Sequence, residues 1–108
     1  MAPDVRIFYT ARYQGTDHTF EFRLKNMYGN AWRAYIVSLP DFHGRSDAYE
    51  HTHLVTTSEG RSLCWDKPVN KAELKQVVAF WCRCMAYYIH NGGEFFSIVS
   101  LLQGKPAA

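Results

Sequence analysis

Residues 5–25 read VRIFYTARYQGTDHTFEFRLK, Val5 to Lys25, and their alternation is the clearest structural signal in the chain. Val5, Ile7, Tyr9, Ala11 and Tyr13 fall on one side of an extended backbone. Arg6, Phe8, Thr10 and Arg12 fall on the other, because successive side chains of a strand point to opposite faces. After a turn at Gly15-Thr16-Asp17 the alternation resumes from His18 to Lys25. Phe20, Phe22 and Leu24 are expected inward, with Thr19, Glu21, Arg23 and Lys25 outward. Tyr28-Gly29-Asn30 makes the next turn, and Trp32 to Leu39 forms a third strand ending at Pro40. Three strands joined by short polar turns predict an antiparallel meander.

Beyond the meander, Asp41 to Asp47 with Gly44 reads as a loop, and Tyr49 to Val55 as a short fourth extended piece carrying His51 and His53. Two histidines two residues apart share a face if that piece is a strand. A polar turn from Thr56 to Gly60 follows, and Arg61 to Asp66 returns to present Cys64 between Leu63 and Trp65. The periodicity then changes. Asn70 stands three residues before Glu73, a capping-box spacing. Leu74, Val77, Val78, Trp81, Met85 and Tyr88 share one helical face, and His90-Asn91-Gly92-Gly93 is a helix stop. Glu94 to Gln103 reads as a second, short apolar helix. A sheet first and helices last predict an α+β fold: an antiparallel meander sheet, a cysteine-bearing flap, and C-terminal helices on one face.

The 108 residues make one domain, residues 1–108, large enough for a single core. Hydrophobic residues at 47% and aromatics at 16% place it among globular chains. Twelve Lys and Arg against ten Asp and Glu leave a formal net charge of +2, too balanced for a nucleic-acid footprint. No apolar run approaches the roughly 20 residues of a membrane helix, and the N-terminus shows no signal-peptide pattern. Neither nucleic acid nor membrane is therefore an expected partner. The three cysteines, Cys64, Cys82 and Cys84, are odd in number and form no Cys-x-x-Cys pair. That predicts free thiols in a reducing, cytoplasmic setting and no zinc knuckle.

Cysteine is the most nucleophilic ordinary side chain near neutral pH, and it acts when a base or positive charge activates it. Cys64, with His51, His53 and Arg61 close in sequence, is the candidate nucleophile. Two other readings stand beside it. Leu63-Cys64-Trp65 also fits a core strand, and His51 and His53 with Cys64 also suit three metal positions, although no fourth ligand is evident. Cys82 and Cys84 lie two apart on a helix, about 200° around its axis, and read as core filling. His18, His43 and His90, near turns or a helix end, receive no role.

The order of these elements resembles the ubiquitin-conjugating-enzyme fold, which has a meander, a flap with a His-Pro-Asn motif, a Gly-x-Ile/Leu-Cys approach to the catalytic cysteine, and then helices. Ala34 to Pro40 looks like the family strand that ends in proline; His51-Thr52-His53 stands where the His-Pro-Asn lies; Gly60 to Cys64 resembles the glycine-to-cysteine approach with one extra residue. Val77 to Trp81, Met85 to Ile89 and Asn91 to Phe95 look like the tryptophan, tyrosine-pair and glycine-aromatic pattern of small bacterial members found in antiphage defence operons. The resemblance covers roughly Trp32 to Phe96. The family's N-terminal helix is missing here, and His53 occupies the asparagine position.

The resemblance implies a transferase that accepts a ubiquitin-like protein from an activating enzyme as a thioester on Cys64. It then passes that protein to an amine, on an acceptor encoded in the same operon. No cofactor is implied, since ATP is consumed earlier by the activating enzyme. His53 or His51, or backbone N–H groups of the Thr57 to Arg61 turn, would face the oxyanion. Asp66 or Glu59 would lower the pKa of the incoming amine, and Arg61 that of the thiol. The alternative is a catalytically inactive module of the same fold that docks a ubiquitin-like or defence partner.

Overall fold

The computed structural model describes residues 3–63 and 69–103. Its first half is the expected meander. Strand β1 (Val5–Tyr13) pairs antiparallel with β2 (Thr16–Tyr28), from Val5 opposite Leu24 to Tyr13 opposite Thr16. Strand β2 pairs in turn with β3 (Ala31–Ser38). The inward set of β2 is as the alternation requires: Phe20, Phe22 and Leu24 are fully buried, while Phe8 on the outer face of β1 is 68% exposed. Strand β2 is longer than its expected span and carries two register irregularities, between Glu21 and Phe22 and between Asn26 and Tyr28. Asn26 is buried at the second, where its side-chain amide donates to the carbonyls of Gly29 and Ala31.

The expected fourth strand over Tyr49 to Val55 is corrected. Tyr49–Thr52 is a one-turn helix, α1; His53 takes a left-handed conformation at φ 55°, and only then does β4 (Leu54–Thr57) begin. The alternation of Tyr49, His51 and His53 mimicked a strand, but Thr52 overrides it. Thr52 is fully buried, its hydroxyl donates back to the carbonyls of Asp47 and Ala48, and its own carbonyl accepts from the indole Nε1 of Trp81 at 2.8 Å. A threonine bonded locally in this way closes a turn rather than joining a ladder. Histidine tolerates the left-handed region better than most side chains.

The expected turn over Thr56 to Gly60 is shorter than that span. Strand β4 forms a hairpin with β5 (Gly60–Leu63), on the rungs Leu54–Leu63, Val55–Ser62, Thr56–Arg61 and Thr57–Gly60. Through Tyr35 and Ser62, β5 joins β3, so the sheet has five antiparallel strands in the order β1-β2-β3-β5-β4.

Helix α2 (Lys71–Asn91) starts at the predicted cap. The Asn70 side-chain oxygen accepts from the Glu73 N–H at 2.8 Å, and its amide donates to the Glu73 carboxylate at 2.6 Å. Replacing Asn70 by alanine is expected to cost about 1 kcal/mol, read as a lower urea midpoint at unchanged slope. Helix α2 lies against β1, β2 and β3 and ends at Gly92, whose φ of 73° suits a residue without Cβ. Helix α3 (Phe95–Leu102) packs on α2 and touches α1. The core forms where α2 meets the sheet. Trp81 stands edge-on to Phe20 and Phe22 at 5.5 and 5.9 Å, with Met85, Ile89, Leu54, Leu63 and Ile98 in the same cluster.

Candidate functional site

Cys64 and Asp66 lie outside the described residues. Leu63, which precedes Cys64 in the sequence, is described. The last rung of the β4–β5 hairpin pairs Leu54 with Leu63. Leu54 follows His53 in the sequence, and Leu63 precedes Cys64.

His51 and His53 do not share a strand face, which corrects that expectation. The His51 ring stacks on Tyr88, centroids 5.2 Å apart and planes 16° apart, and its Nδ1 lies 2.7 Å from the carbonyl oxygen of Gly93. A carbonyl can only accept, so Nδ1 carries the proton and the lone pair of the neutral ring sits on Nε2. That nitrogen faces the Glu50 carboxylate at 3.9 Å. The His53 ring lies parallel to Phe95 at 5.0 Å and 8°, edge-on to Phe96 at 5.0 Å, and tilted against Tyr49 at 4.8 Å. The two imidazoles diverge from the left-handed residue onto separate partners, yet both dock on the α2–α3 corner. Among the described residues, no three His, Cys, Asp or Glu side chains are placed to share a metal ion.

Arg61 and Glu59, the other expected helpers that are described, each have a charged partner. The Arg61 guanidinium donates to the Asp47 carboxylate at 2.9 Å. Glu59 accepts from Lys25 and lies 3.4 Å from the Tyr35 hydroxyl. The hydrogen bond from Lys25 is the main cause holding the Glu59 carboxyl below its usual range. The Glu59 N–H donates to the Thr57 hydroxyl, and the whole turn stands at the end of the hairpin opposite Leu63, about 10 Å away at strand spacing.

Cys82 and Cys84 fill the core as expected. Both are fully buried, and burial pushes the Cys84 thiol up to about 12 and Cys82 higher still. At neutral pH neither is a thiolate, so neither is a nucleophile.

Sequence reasoning missed a cluster formed by the histidines left without a role. His18, His43 and His90 form a triangle with ring centroids 5.0, 6.2 and 6.3 Å apart. No local motif could have signalled it, because the three come from β2, the loop after β3 and the end of α2.

Comparison of the chain with protein-family models, curated proteins and solved structures gives no match. Among the described residues, no helix is long and apolar enough to cross a membrane.

Proposed function

We propose that the domain carries an acyl group as a thioester on Cys64 and passes it to an amine, in the manner of a ubiquitin-conjugating domain. The observation that supports this reading is the Leu54–Leu63 rung, which pairs the residue that follows His53 in the sequence with the residue that precedes Cys64. The meander followed by helices supports it, and so does the sealing of the other two thiols in the core.

The chemistry balances without a cofactor. The Cys64 thiolate attacks the carbonyl of a donor thioester, the donor thiol leaves with a proton, and the new thioester is later attacked by an amine that gives up its proton as Cys64 is released. A histidine at the asparagine position supplies a donor toward the oxyanion, and the fixed Nε2 lone pair of His51 is the base on the same corner. The donor is a ubiquitin-like protein delivered by an activating enzyme, and the acceptor is a protein amine.

One observation favours a second reading, a binding module. Tyr49, His53 and Phe96 form a continuous aromatic strip on which Tyr49 is 48% and Phe96 65% exposed, a surface suited to docking a ubiquitin-like partner.

Thiol mapping separates the two. In an iodoacetamide time course on the folded protein at pH 7, read by peptide mass spectrometry, Cys64 is expected to label at least tenfold ahead of Cys82 and Cys84. Labelling of Cys64 no faster than the two helix thiols would remove the enzyme reading and leave the docking module.

A further inference from the structure

We infer that His18, His43 and His90 form a proton-operated latch that fastens the last turn of α2 to the start of β2, closed while the imidazoles are neutral and opened as acid charges them. The central contact is 2.8 Å between Nε2 of His18 and Nε2 of His90. Such a bond needs one ring nitrogen with a proton and one with a lone pair. With both rings charged, each presents only donors and the bond cannot exist.

The setting makes that change costly. His18 is only 4% exposed. From β1, Tyr13 lies against His90 at 4.8 Å, and Arg12 is paired with Asp17, the residue before His18. From the loop after β3 come His43 and Arg45, and the Asp41 carboxylate there is bonded to the backbone N–H of His43. From α2 itself, Tyr87 meets Tyr13 edge-on. The two carboxylates of this neighbourhood already have partners, so protonation gathers His18, His43, His90 and Arg45 with no uncommitted anion among these groups.

The sign follows from burial. Burial first, then the charges of His90 and His43, hold His18 below its ordinary value of 6.5, with Asp17 opposing. The folded chain therefore takes up this proton less readily than the unfolded chain. The latch contributes fully above 6.5 and is lost as pH falls below that value and through the lower folded one.

What opens is a defined junction. Arg45 donates to the carbonyls of Ile89 at 2.9 Å and His90 at 3.3 Å, and the Tyr88 hydroxyl donates to the Ser46 carbonyl at 2.6 Å. A Cβ on Gly92 would meet Arg45 Nη1 at 2.7 Å, so the arginine lies flush on the helix end. The loop from Phe42 to Ser46 is clamped to the same helical turn that His90 holds.

Amide hydrogen exchange, corrected for intrinsic rates, tests the latch on the whole protein. An opening linked to one proton changes up to tenfold per pH unit. Protection at Tyr88 to Asn91 is expected to fall about tenfold per unit below pH 6.5, while Phe20 and Phe22 change little. His90→Gln, which keeps a donor and acceptor but does not titrate, is expected to flatten that dependence. An equal loss at Phe20 and Phe22, or an unaltered dependence in His90→Gln, overturns the proposal. If the variant does not fold, the Cε1–H resonance of His18 in the wild type decides. A shift in two coupled steps supports the latch, and a single step at the ordinary imidazole value overturns it.

Discussion

Replacing Trp81 by alanine lowers the stability of the domain by about 3–5 kcal/mol, the largest loss expected of any single truncation here. Trp81 is 3% exposed and packs edge-on against both Phe20 and Phe22, so its removal opens a cavity in the centre of the helix–sheet interface. It also removes the Nε1 donor from the carbonyl of Thr52, one of the contacts that hold α1 against the core. Against a total of about 5–15 kcal/mol for a domain, that loss leaves much of the chain unfolded at 37 °C. Trp81→Phe separates the two parts. It keeps most of the apolar volume and strands the Thr52 carbonyl, for about 1–3 kcal/mol. Urea unfolding followed by circular dichroism measures both. A loss below 1 kcal/mol for the alanine variant would mean that the sheet and α2 are not held together through this residue.

The second large effect concerns chemistry. On incubation with a peptide thioester at pH 7.5, the wild-type chain is expected to gain one acyl adduct at Cys64, released by dithiothreitol or hydroxylamine. Cys64→Ser is expected to gain none, because a serine hydroxyl ionises far less readily than a thiol and is a much weaker nucleophile at this pH. The urea midpoint should be unchanged by the substitution. His53→Ala is the companion variant, and slower acylation at equal stability is its expected result. Acylation of Cys64→Ser at the wild-type rate would place the chemistry elsewhere. A fall in the midpoint without any wild-type adduct would mark Cys64 as packing, in line with the docking module.

The meander was legible because each face of β1 and β2 has a single solvent, core or water, and alternation records that directly. The long helix was legible for the same reason, with its start written by Asn70 and Glu73. The corner that holds the histidines was not. Tyr49 to Val55 alternates like a strand, and nothing local reveals that Thr52 will be buried under an indole 29 residues later in the chain. The partners of Arg61 and Glu59 were not legible either. Both lie near Cys64 in sequence, but the hairpin turns them toward Asp47 and Lys25. Nearness along the chain places a residue on an element, and register then decides which end and which face it occupies. The triangle of His18, His43 and His90 depends on where α2 stops relative to the first turn of β2, a tertiary fact with no local record.

The layering of the domain also has a timetable. The residues that make the apolar face of the sheet, Phe20, Phe22 and Leu24, are translated first, and the helix that covers them, Lys71–Asn91, comes last but one. At synthesis rates of about 5–20 residues per second, the face waits roughly 3–13 s for its cover. Hairpins close in microseconds, so for nearly all of that interval a nascent chain holds three strands with one greasy side open to its neighbours. The early sheet is thus a ready scaffold and an adhesive at once, and the capped start of α2 governs how soon that surface is withdrawn.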